Sequence, residues 1–400
     1  MKKLFILFVL SLSLSLSAAS KPYLILVSFD AFRWDYLNRG ITPNLNKLAS
    51  EGVGTLSLEP CFPSKTFPNH ISIITGMYPQ NHGIIHNTIY NRFTDKTYKM
   101  SDSNEVRDPR WYLGEPFWET AERQGITTAS YFWPGSEIEL PFRRPTYFMP
   151  YDHFCPEDKK IEGIINWLKL PENERPHFIT LYFHETDDDG HNFGPDSPKT
   201  NKAIAKLDSI AGLLLDSLRT LSIKDSINIV FLSDHGMTNI SKDKQINVGK
   251  IIKGLNAKLY DSGPVMMVSP SGSSIDSLYN RLKLNENNYK VYKRSEVPEY
   301  FHFSENPFIG EIVIVADMGW TLIQNDKKQY YSDSQGNHGY DNHHLDMHGF
   351  FIANGPAFKS NYQTGTILNI DIYPMLCKIF NIFPRSNIDG NLERIEYILK

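Results

Sequence analysis

Cysteine is scarce in this sequence: its 400 residues include only Cys61, Cys155 and Cys377. Small secreted proteins that depend on disulfides carry many more cysteines, usually in even numbers. The scarcity therefore excludes a disulfide scaffold, and the odd count leaves at least one thiol unpaired. The sequence does not determine whether the other two form a bond.

Excess charge and long apolar runs are also absent. The formal net charge is −4 at pH 7, so no basic surplus favours nucleic acid as a partner. After residue 20, no segment is apolar over the roughly 20 residues that a membrane span needs. We therefore expect a mature chain with no membrane span and no stable nucleic-acid binding. The sequence leaves the oligomeric state open.

The first 20 residues have the features of a secretory signal peptide. Lys2 and Lys3 precede the apolar run 4–10, and small residues follow at 18–20. An N-terminal membrane anchor is the alternative, but the serines and the short apolar run favour a signal. The prediction is an exported protein, either periplasmic or secreted, with a mature chain of residues 21–400.

Five strongly apolar segments predict buried strands, and helical patterns such as those at 158–170 and 201–221 separate several of them. A further helix is expected from Pro43, with Thr42 as its N-cap. This alternation predicts a mostly parallel α/β sheet in one domain, with an inserted lobe at about 255–330. The strand segments are 23–29, 127–133, 177–183, 227–233 and 312–316.

Polar residues gather where these strands end. Asp30 follows the first strand, residues 184–191 follow the strand at 177–183, and residues 233–236 lie at the end of the strand that starts at 227. In open α/β sheets, ligands bind beyond the carboxyl ends of the strands. We therefore expect the functional site at that edge of the sheet.

The same segments contain pairs of metal-ligating residues. Asp187 and His191 are four residues apart, so a helical turn places both on one face. Asp234 and His235 are adjacent and can share an ion only if the chain turns, which Gly236 permits. Carboxylate combined with imidazole suits zinc better than calcium or magnesium. Residues 336–349 add four histidines, of which one site can use one or two: His338, His343, His344 and His348.

Each of these features also has a simpler interpretation. Asp30 is a suitable helix or turn cap, and Asp234 with His235 could form a hydrogen-bonded turn. Residues 185–196 resemble a calcium loop, which would make the chain a metal-stabilised binding protein without turnover. Such a loop begins with Asp and ends with Glu. Here Glu185 comes first and Asp196 last.

The segment CFPSKTFPNHISIITG (61–76) places a hydroxyl in a reactive setting. Thr66 stands just before Pro68, which can start a helix, and a helix N-terminus binds phosphate. A metal on its oxygen would make Thr66 a nucleophile, whereas the simpler interpretation is an N-cap. Residues Cys61 to Lys65 resemble the sulfatase signature, but Lys65 stands where an arginine is needed.

Five motifs resemble, in the same order, those of the nucleotide pyrophosphatase/phosphodiesterase family of the alkaline phosphatase superfamily. The resemblance implies an alkaline-phosphatase-like α/β fold, with a central, mostly parallel sheet, helices on both faces and a small inserted lobe. One departure is Thr186, where many animal members have a proline before the metal aspartate. The motifs are PSKTFPNHISIITGMYPQNHGIIHN (63–87), FWPGSE (132–137), DDDGHNFGP (187–195), SDHGM (233–237) and NHGYDN (337–342).

The resemblance also implies a site that holds two Zn²⁺ per chain. The residues that match the ligands of one ion are Asp187, His191 and His338. The residues that match the ligands of the other are Asp30, Asp234 and His235, with Thr66 bridging as the nucleophile.

Substrate contacts are implied in the same way. Asn87 matches the asparagine that binds a phosphoryl oxygen, and Phe67 matches the aromatic residue that stacks on a nucleobase. Either Tyr147 or Tyr151 would complete the slot for the base. The expected function is hydrolysis of nucleotide phosphodiester and pyrophosphate bonds, acting on nucleoside triphosphates or dinucleotides to release nucleoside 5'-monophosphates. The alternatives are a sulfatase or phosphomonoesterase of the same fold, or a general or lipid head-group phosphodiesterase.

Overall fold

Strands and helices alternate over most of the chain. The computed structural model of the protein describes residues 21–325 and 334–400, so the predicted signal peptide at 1–20 lies outside the described residues. The strands are β1 (Tyr23–Phe29), β2 (Val53–Thr55), β3 (Leu58–Glu59), β4 (Thr88–Asn91), β5 (Lys96–Lys99), β6 (Thr128–Tyr131), β7 (Tyr147–Met149), β8 (Phe178–Phe183), β9 (Ile227–Leu232), β10 (Thr238–Asn239), β11 (Gln245–Asn247), β12 (Ala257–Tyr260), β13 (Val265–Pro270), β14 (Tyr289–Lys293), β15 (Ile312–Ala316), β16 (Thr321–Ile323), β17 (Gly336–Asn337), β18 (Phe351–Asn354), β19 (Tyr362–Thr364) and β20 (Ile367–Leu368).

The helices include the long amphipathic segments that the sequence predicts, and the longest is capped by the Ser197 side chain. The α-helices are α1 (Pro43–Glu51), α2 (Thr66–Thr75), α3 (Pro79–His82), α4 (Ser103–Arg107), α5 (Phe117–Glu122), α6 (Glu157–Leu168), α7 (Glu185–Phe193), α8 (Pro198–Arg219), α9 (Val248–Ile251), α10 (Ile275–Leu284) and α11 (Ile372–Phe380).

An eight-stranded sheet forms the centre of the fold, in the order β19-β2-β18-β9-β1-β8-β6-β7. β1 is parallel to both of its neighbours, β8 and β9, whereas β18 is antiparallel to β9 and β2. The prediction of a mostly parallel sheet is confirmed. Because β1, β8 and β9 run in one direction, the segments that follow them meet at one edge of the sheet.

Helices cover both faces of this sheet, because its central strands are apolar on both sides. Ile25 and Val27 of β1 pack on one face with residues of α1, α6 and α8. Leu24 and Leu26 pack on the other face with residues of α2, α5 and α11. α2 thereby lies under the sheet with its first residue at the edge where β1 and β9 end.

The region predicted as a lobe contains a second sheet. Strands β12 to β15 form four antiparallel strands in the order β12-β13-β15-β14. Leu278 and Leu282 of α10 pack against Met266 and Ile314 in the core of this sheet. The shorter elements seen in the sequence between 255 and 330 thus belong to a sheet of their own.

Two local predictions differ from the structure, and one alternative interpretation is excluded. α1 begins at Pro43 as expected, but the Thr42 side chain makes no capping hydrogen bond and instead points to the Leu37 carbonyl at 3.4 Å. α2 begins at Thr66 rather than at Pro68, since a proline fits anywhere in a first turn whose N–H groups have no helical partner. Residues 185–193 form α7, so the calcium-loop interpretation is wrong.

All three cysteines are free thiols. In the described ranges, no helix combines the length and the hydrophobicity that a bilayer crossing requires.

Candidate active site

The ends of β1 and β9 bring together the first half of the site. Asp30 follows β1, and Asp234 and His235 follow β9 after Ser233. His235 Nε2 lies 3.4 Å from Asp30 Oδ1 and 3.0 Å from Asp234 Oδ2. Gly236 is needed here for close approach, because a Cβ at this position would lie 2.1 Å from the Asp346 carbonyl oxygen.

The second half comes from α7 and the segment after β17. Asp187 and His191 share a face of α7 as predicted, with His191 Nε2 3.4 Å from Asp187 Oδ1. His338 Nε2 lies 3.5 Å from the same oxygen and 3.1 Å from His191 Nε2. The His338 and His235 rings stack at 3.7 Å, which joins the two halves. We call these six residues the binding cluster: Asp30, Asp187, His191, Asp234, His235 and His338.

The three histidines of the binding cluster share one tautomer. A carbonyl oxygen can only accept, so a ring nitrogen beside it must carry the proton. In each ring, Nδ1 donates to a main-chain carbonyl. His191 donates to Gly336 at 2.9 Å, His235 to Gly236 at 2.8 Å, and His338 to Ser64 at 2.8 Å. In the neutral ring, each Nε2 then has a lone pair that faces the other members. This is how proteins orient histidine ligands of a metal.

The carboxylates of the binding cluster are arranged in the same way. The Tyr182 hydroxyl donates to Asp30 Oδ2 at 2.5 Å, and the Ala31 N–H donates to Asp234 Oδ1 at 3.2 Å. Three other oxygens are buried and, within the described residues, receive no hydrogen bond of good geometry. They are Asp30 Oδ1, Asp234 Oδ2 and Asp187 Oδ1. Buried polar atoms are rarely left unpaired, so each such atom needs an explanation.

The electrostatics of the binding cluster reflect this crowding. Burial, together with the charges of Asp234 and Asp187, raises the pKa of Asp30 well above its ordinary value. Burial would also raise the pKa of Asp234, but when no cation is bound, positive charge on His235 and His70 outweighs burial and holds this pKa well below its ordinary value. Three carboxylates in a buried space favour cations, which supply both charge and coordination.

The donor set therefore fits metal ions. Unpaired carboxylate oxygens and unprotonated Nε2 atoms converge, and their ligand atoms lie within 4.8 Å of one another in two groups that share Asp187. The first group is Asp187, His191 and His338, and the second is Asp30, Asp187 and His235.

Thr66 lies against this cluster at the first residue of α2. Its Oγ1 is 3.3 Å from His235 Nε2, and the residue is 7% exposed. One turn later on α2, His70 Nδ1 lies 2.9 Å from the Thr66 carbonyl, which holds the ring in place. The same nitrogen lies 3.3 Å from Asp234 Oδ2. The threonine is thus a buried hydroxyl at a helix N-terminus and beside the ligand atoms.

A cavity of about 440 Å³ opens in front of Thr66, and Asp30 and Asp187 also reach it. Asn87 is held next to Phe67 of the lining, with Oδ1 accepting from the Phe67 N–H at 3.2 Å. Since the carboxamide oxygen is engaged, the NH₂ group of Asn87 remains for an acceptor. Phe67 and Tyr151 line the cavity.

Tyr147 is placed elsewhere. It lies on β7, its hydroxyl donates to the Glu174 carbonyl at 3.1 Å, and its ring stacks on Trp167. Of the two tyrosines predicted as alternatives, only Tyr151 belongs to the cavity lining, which also contains Trp133.

The sulfatase-like segment does not bring its cysteine to the cavity. Cys61 is buried, and its thiol donates to Asn369 Oδ1 at 3.1 Å. Burial raises the pKa of this thiol far above its ordinary value. The remaining histidines of 336–349 also lie outside the binding cluster: His343 and His344 are exposed, and His348 binds Ser57 Oγ at 2.9 Å.

Sequence reasoning missed the residues that support the ligands. Tyr182 donates to Asp30, His70 Nδ1 lies 3.3 Å from Asp234 Oδ2, and Lys65 is buried beside Thr66. Gly339 leaves room for this lysine, since a Cβ there would lie 2.6 Å from Lys65 Cε. The spacing of four residues between Thr66 and His70 on one helix was the available signal; no sequence pattern indicated Tyr182.

The fold and the site define a member of the alkaline phosphatase superfamily. Within it, the chain belongs to the type I phosphodiesterase / nucleotide pyrophosphatase family, whose sequence profile matches residues 24–341. The predicted family, fold class and hydrolase activity are therefore confirmed.

Several relatives support this assignment. Human ectonucleotide pyrophosphatase/phosphodiesterase family member 5 is 35% identical over 379 residues, which cover 94% of this chain and 78% of that protein. Human bis(5'-adenosyl)-triphosphatase ENPP4 is 37% identical over 374 residues, 93% and 81% of the two chains. Human family member 1 is 35% identical over 390 residues, which are only 42% of its length.

A solved structure agrees in detail with the fold. An inactive threonine-to-alanine variant of murine family member 5, in complex with AMP, superposes with a TM-score of 0.89 at 32% identity. The match covers 95% of this chain and all of that one.

Proposed function

We propose that this chain is an exported phosphodiesterase and pyrophosphatase that binds two zinc ions and releases nucleoside 5'-monophosphates from nucleotides. The observation that carries the proposal is the convergence of unpaired carboxylate oxygens and Nε2 lone pairs around the Thr66 hydroxyl. Sets of carboxylate and imidazole ligands of this kind suit zinc.

The proposed ligands follow the two halves of the binding cluster. One ion would be held by Asp187, His191 and His338, and the other by Asp30, Asp234, His235 and the Thr66 oxygen. Bound zinc supplies positive charge that lowers the pKa of a nearby hydroxyl and stabilises charge on phosphate oxygens. The buried site strengthens such interactions because it excludes water.

In the proposed reaction, Thr66 Oγ1 gives its proton to solvent water and attacks phosphorus. The bond from phosphorus to the leaving oxygen breaks as the threonyl-phosphate ester forms. Water then attacks phosphorus, which restores the Thr66 hydroxyl and releases the nucleoside monophosphate. The Asn87 NH₂ group donates to a phosphoryl oxygen, and the N-terminus of α2 favours the negative charge. A related protein that is inactive as a threonine-to-alanine variant supports this role.

The proposed substrates are nucleoside triphosphates and dinucleotides, with the base between Phe67 and Tyr151. Two aromatic rings that line the cavity support this slot. The AMP complex of murine family member 5 and the name of the bis(5'-adenosyl)-triphosphatase point to the same substrate class. No arginine adjoins Thr66 in the sequence, and Arg107, which lines the cavity, is paired with Glu137. The second free phosphoryl oxygen of a monoester therefore has no unpaired arginine beside Thr66.

Two parts of the proposal concern the chain as a whole. Residues 21–400 are proposed to form one catalytic domain, with the region at about 255–330 as an inserted lobe. Residues 1–20 are proposed to direct export, to the periplasm or the medium.

Replacement of the nucleophile tests the proposed function. With the nitrophenyl ester of thymidine monophosphate, we expect Thr66→Ala to lower kcat on the order of 10³-fold or more, as for other essential nucleophiles. Thr66→Ser keeps the hydroxyl and serves as the conservative control. A Thr66→Ala protein that retains a tenth or more of the activity would reject the assigned nucleophile. Parallel assays on a sulfate ester and a phosphomonoester test the sulfatase and monoesterase alternatives. A sulfatase would lose activity in Cys61→Ala, whereas we expect this variant to keep nearly all of its activity on the nucleotide ester.

The base slot has its own test. Phe67→Ala is expected to raise KM for the nucleotide ester by the equivalent of about 1–3 kcal/mol, with a much smaller effect on bis-nitrophenyl phosphate, which has no base to stack. Tyr147→Ala, whose ring packs on Trp167, is the matched aromatic control. Equal effects of Phe67→Ala on both esters would favour a general or lipid head-group diesterase.

A further inference from the structure

A second cluster of metal-ligating side chains lies in the wall of the same cavity, beyond the binding cluster. It consists of His153, His184 and Asp188, and all three line the cavity that contains Thr66. One ligand atom from each lies within 4.8 Å of the other two. Asp188 Oδ2 is 2.8 Å from His184 Nδ1 and 3.5 Å from His153 Nε2. We call this group the rim cluster.

The rim cluster is separate from the proposed pair of zinc ligand sets. Asp187 and Asp188 are neighbours on α7, but successive helical residues point about 100° apart. Asp187 accordingly faces His191 and His338, whereas Asp188 faces His153 and His184. The two clusters therefore share no carboxylate.

The hydrogen bonds of the rim cluster orient His184 as a ligand. His184 Nε2 lies 3.0 Å from the main-chain carbonyl of His153, which can only accept, so Nε2 carries a proton. In the neutral ring, the Nδ1 lone pair then faces Asp188 Oδ2, and two acceptors 2.8 Å apart need a cation or a proton between them. The same arrangement, a ring N–H on a carbonyl and a free nitrogen towards carboxylate, occurs at each histidine of the binding cluster.

His153 completes the group. Its ring stacks on that of His184 at 4.0 Å with planes 21° apart, so charging both rings is unfavourable. Its Nδ1 lies 3.1 Å from the Tyr151 hydroxyl, which can accept from an Nδ1–H and leave Nε2 free towards Asp188. The side chains of His153 and Asp188 are each 43% exposed, so ions and substrate reach them from the cavity.

We propose that His153, His184 and Asp188 bind a third divalent cation of the zinc class, which contacts the phosphate chain beyond the scissile bond of the substrate. Three protein ligands leave a tetrahedral ion one open position, here towards the cavity. One carboxylate and two neutral imidazoles leave a net charge of about +1, which attracts a phosphate oxygen. The contact with the phosphate chain rests on the proposed function, whereas the cation site does not.

Zinc content tests the site directly. The full chain, equilibrated with zinc and desalted, is expected to hold about three zinc ions, and His184→Ala or Asp188→Asn about two. Asp188→Asn keeps the shape of the side chain, so it guards against misfolding of the alanine variant. The exposed residue His344 and the next acid on α7 provide the controls His344→Ala and Asp189→Asn, which should keep about three.

Kinetics test the role of the site. Loss of the rim cation should lower kcat/KM for ATP about tenfold more than for the nitrophenyl ester, whose leaving group has no phosphates. Equal zinc content in the natural chain and both variants overturns the site, and leaves His184 as the ion-pair partner of Asp188. A lost zinc with an unchanged ATP-to-ester ratio overturns the phosphate contact alone. A natural chain that hydrolyses neither substrate overturns the proposed function, while the zinc count still decides the rim cluster.

Discussion

His82 and His338 are both buried histidines, but they differ in whether both ring nitrogens have hydrogen-bond partners. His82 Nε2 lies 3.1 Å from the Pro68 carbonyl and 3.0 Å from Ser72 Oγ, and its Nδ1 accepts from the Ile84 N–H at 3.2 Å. Every polar atom of this ring has a partner. Burial lowers its pKa to about 3, so it is neutral at every physiological pH.

His338 has a partner on one side only. Its Nδ1 donates to the Ser64 carbonyl, but its Nε2 faces His191 Nε2 at 3.1 Å and Asp187 Oδ1 at 3.5 Å, which are acceptors. Burial again lowers the pKa, assisted by His235 and His191. Buried acceptors that face one another without a donor destabilise the fold. A cluster of this kind persists where a bound ligand offsets that cost. The contrast separates a structural histidine from a binding one.

The largest expected effect comes from one carboxylate of the binding cluster. Asp234→Asn removes a buried charge and a ligand oxygen, and we expect turnover to fall on the order of 10³-fold. The stabilisation by zinc, about 4 kcal/mol when zinc is at a thousand times its Kd, should shrink as well. In excess chelator, however, the zinc response should disappear from both chains, so that the remaining difference between them reports only the metal-free contacts of Asp234 with His235 and His70.

Denaturant unfolding with zinc and with chelator provides the measurement. The same experiment on Asp389→Asn, a change to a carboxylate that binds the Tyr78 N–H and Asn81, serves as the control, since it should leave the zinc response intact. A zinc response in Asp234→Asn as large as that of the natural chain would show that this aspartate is not a ligand, and the comparison with His82 would fail.

The smaller effect concerns pH and His82. Its pKa falls from an ordinary value of 6.5 in the unfolded chain to about 3 in the fold, so the unfolded state binds the proton between these values. The contribution of neutral His82 to the free energy of unfolding is complete above pH 6.5. It is lost as the pH falls towards 3, by about 1.4 kcal/mol per pH unit.

Measurements of the free energy of unfolding in chelator, at about pH 7, 6 and 5, give this slope. His82→Gln, which does not titrate, should be less stable than the natural chain at about pH 7. Its free energy of unfolding should fall less steeply with decreasing pH, by about 1.4 kcal/mol per pH unit, which corresponds to one proton. Parallel stability curves for the two chains would mean that His82 titrates alike in both states, and would remove the contrast with His338.

Much of the site followed from local sequence patterns. Asp187 and His191 share a helix face because their spacing matches a helical turn, and Asp30 and Asp234 lie together because parallel strands end at one edge. The start of α2 was misplaced by two residues, since Pro68 is compatible with several positions in a first turn.

Other features had no local signal. The rim cluster unites His153 from a loop with His184, which precedes α7, and Asp188, which lies in the first turn of α7. A sequence separation of about thirty residues hides their contact. Tyr182 is 152 residues from Asp30, whose oxygen it holds, and its strand reads only as an apolar run. The choice between Tyr147 and Tyr151 likewise depended on tertiary contacts, because Tyr147 packs on Trp167 whereas Tyr151 lines the cavity.

By itself, the sequence determined the alternation of strands and helices, the edge of the sheet that carries the site, and the chemical types of its ligands. These features depend on apolar periodicity and on short-range spacing, which a linear chain records. Only the tertiary structure decided which oxygen and which ring nitrogen remain unpaired. That choice depends on carbonyls, hydroxyls and N–H groups from distant segments, which the fold brings within hydrogen-bonding distance.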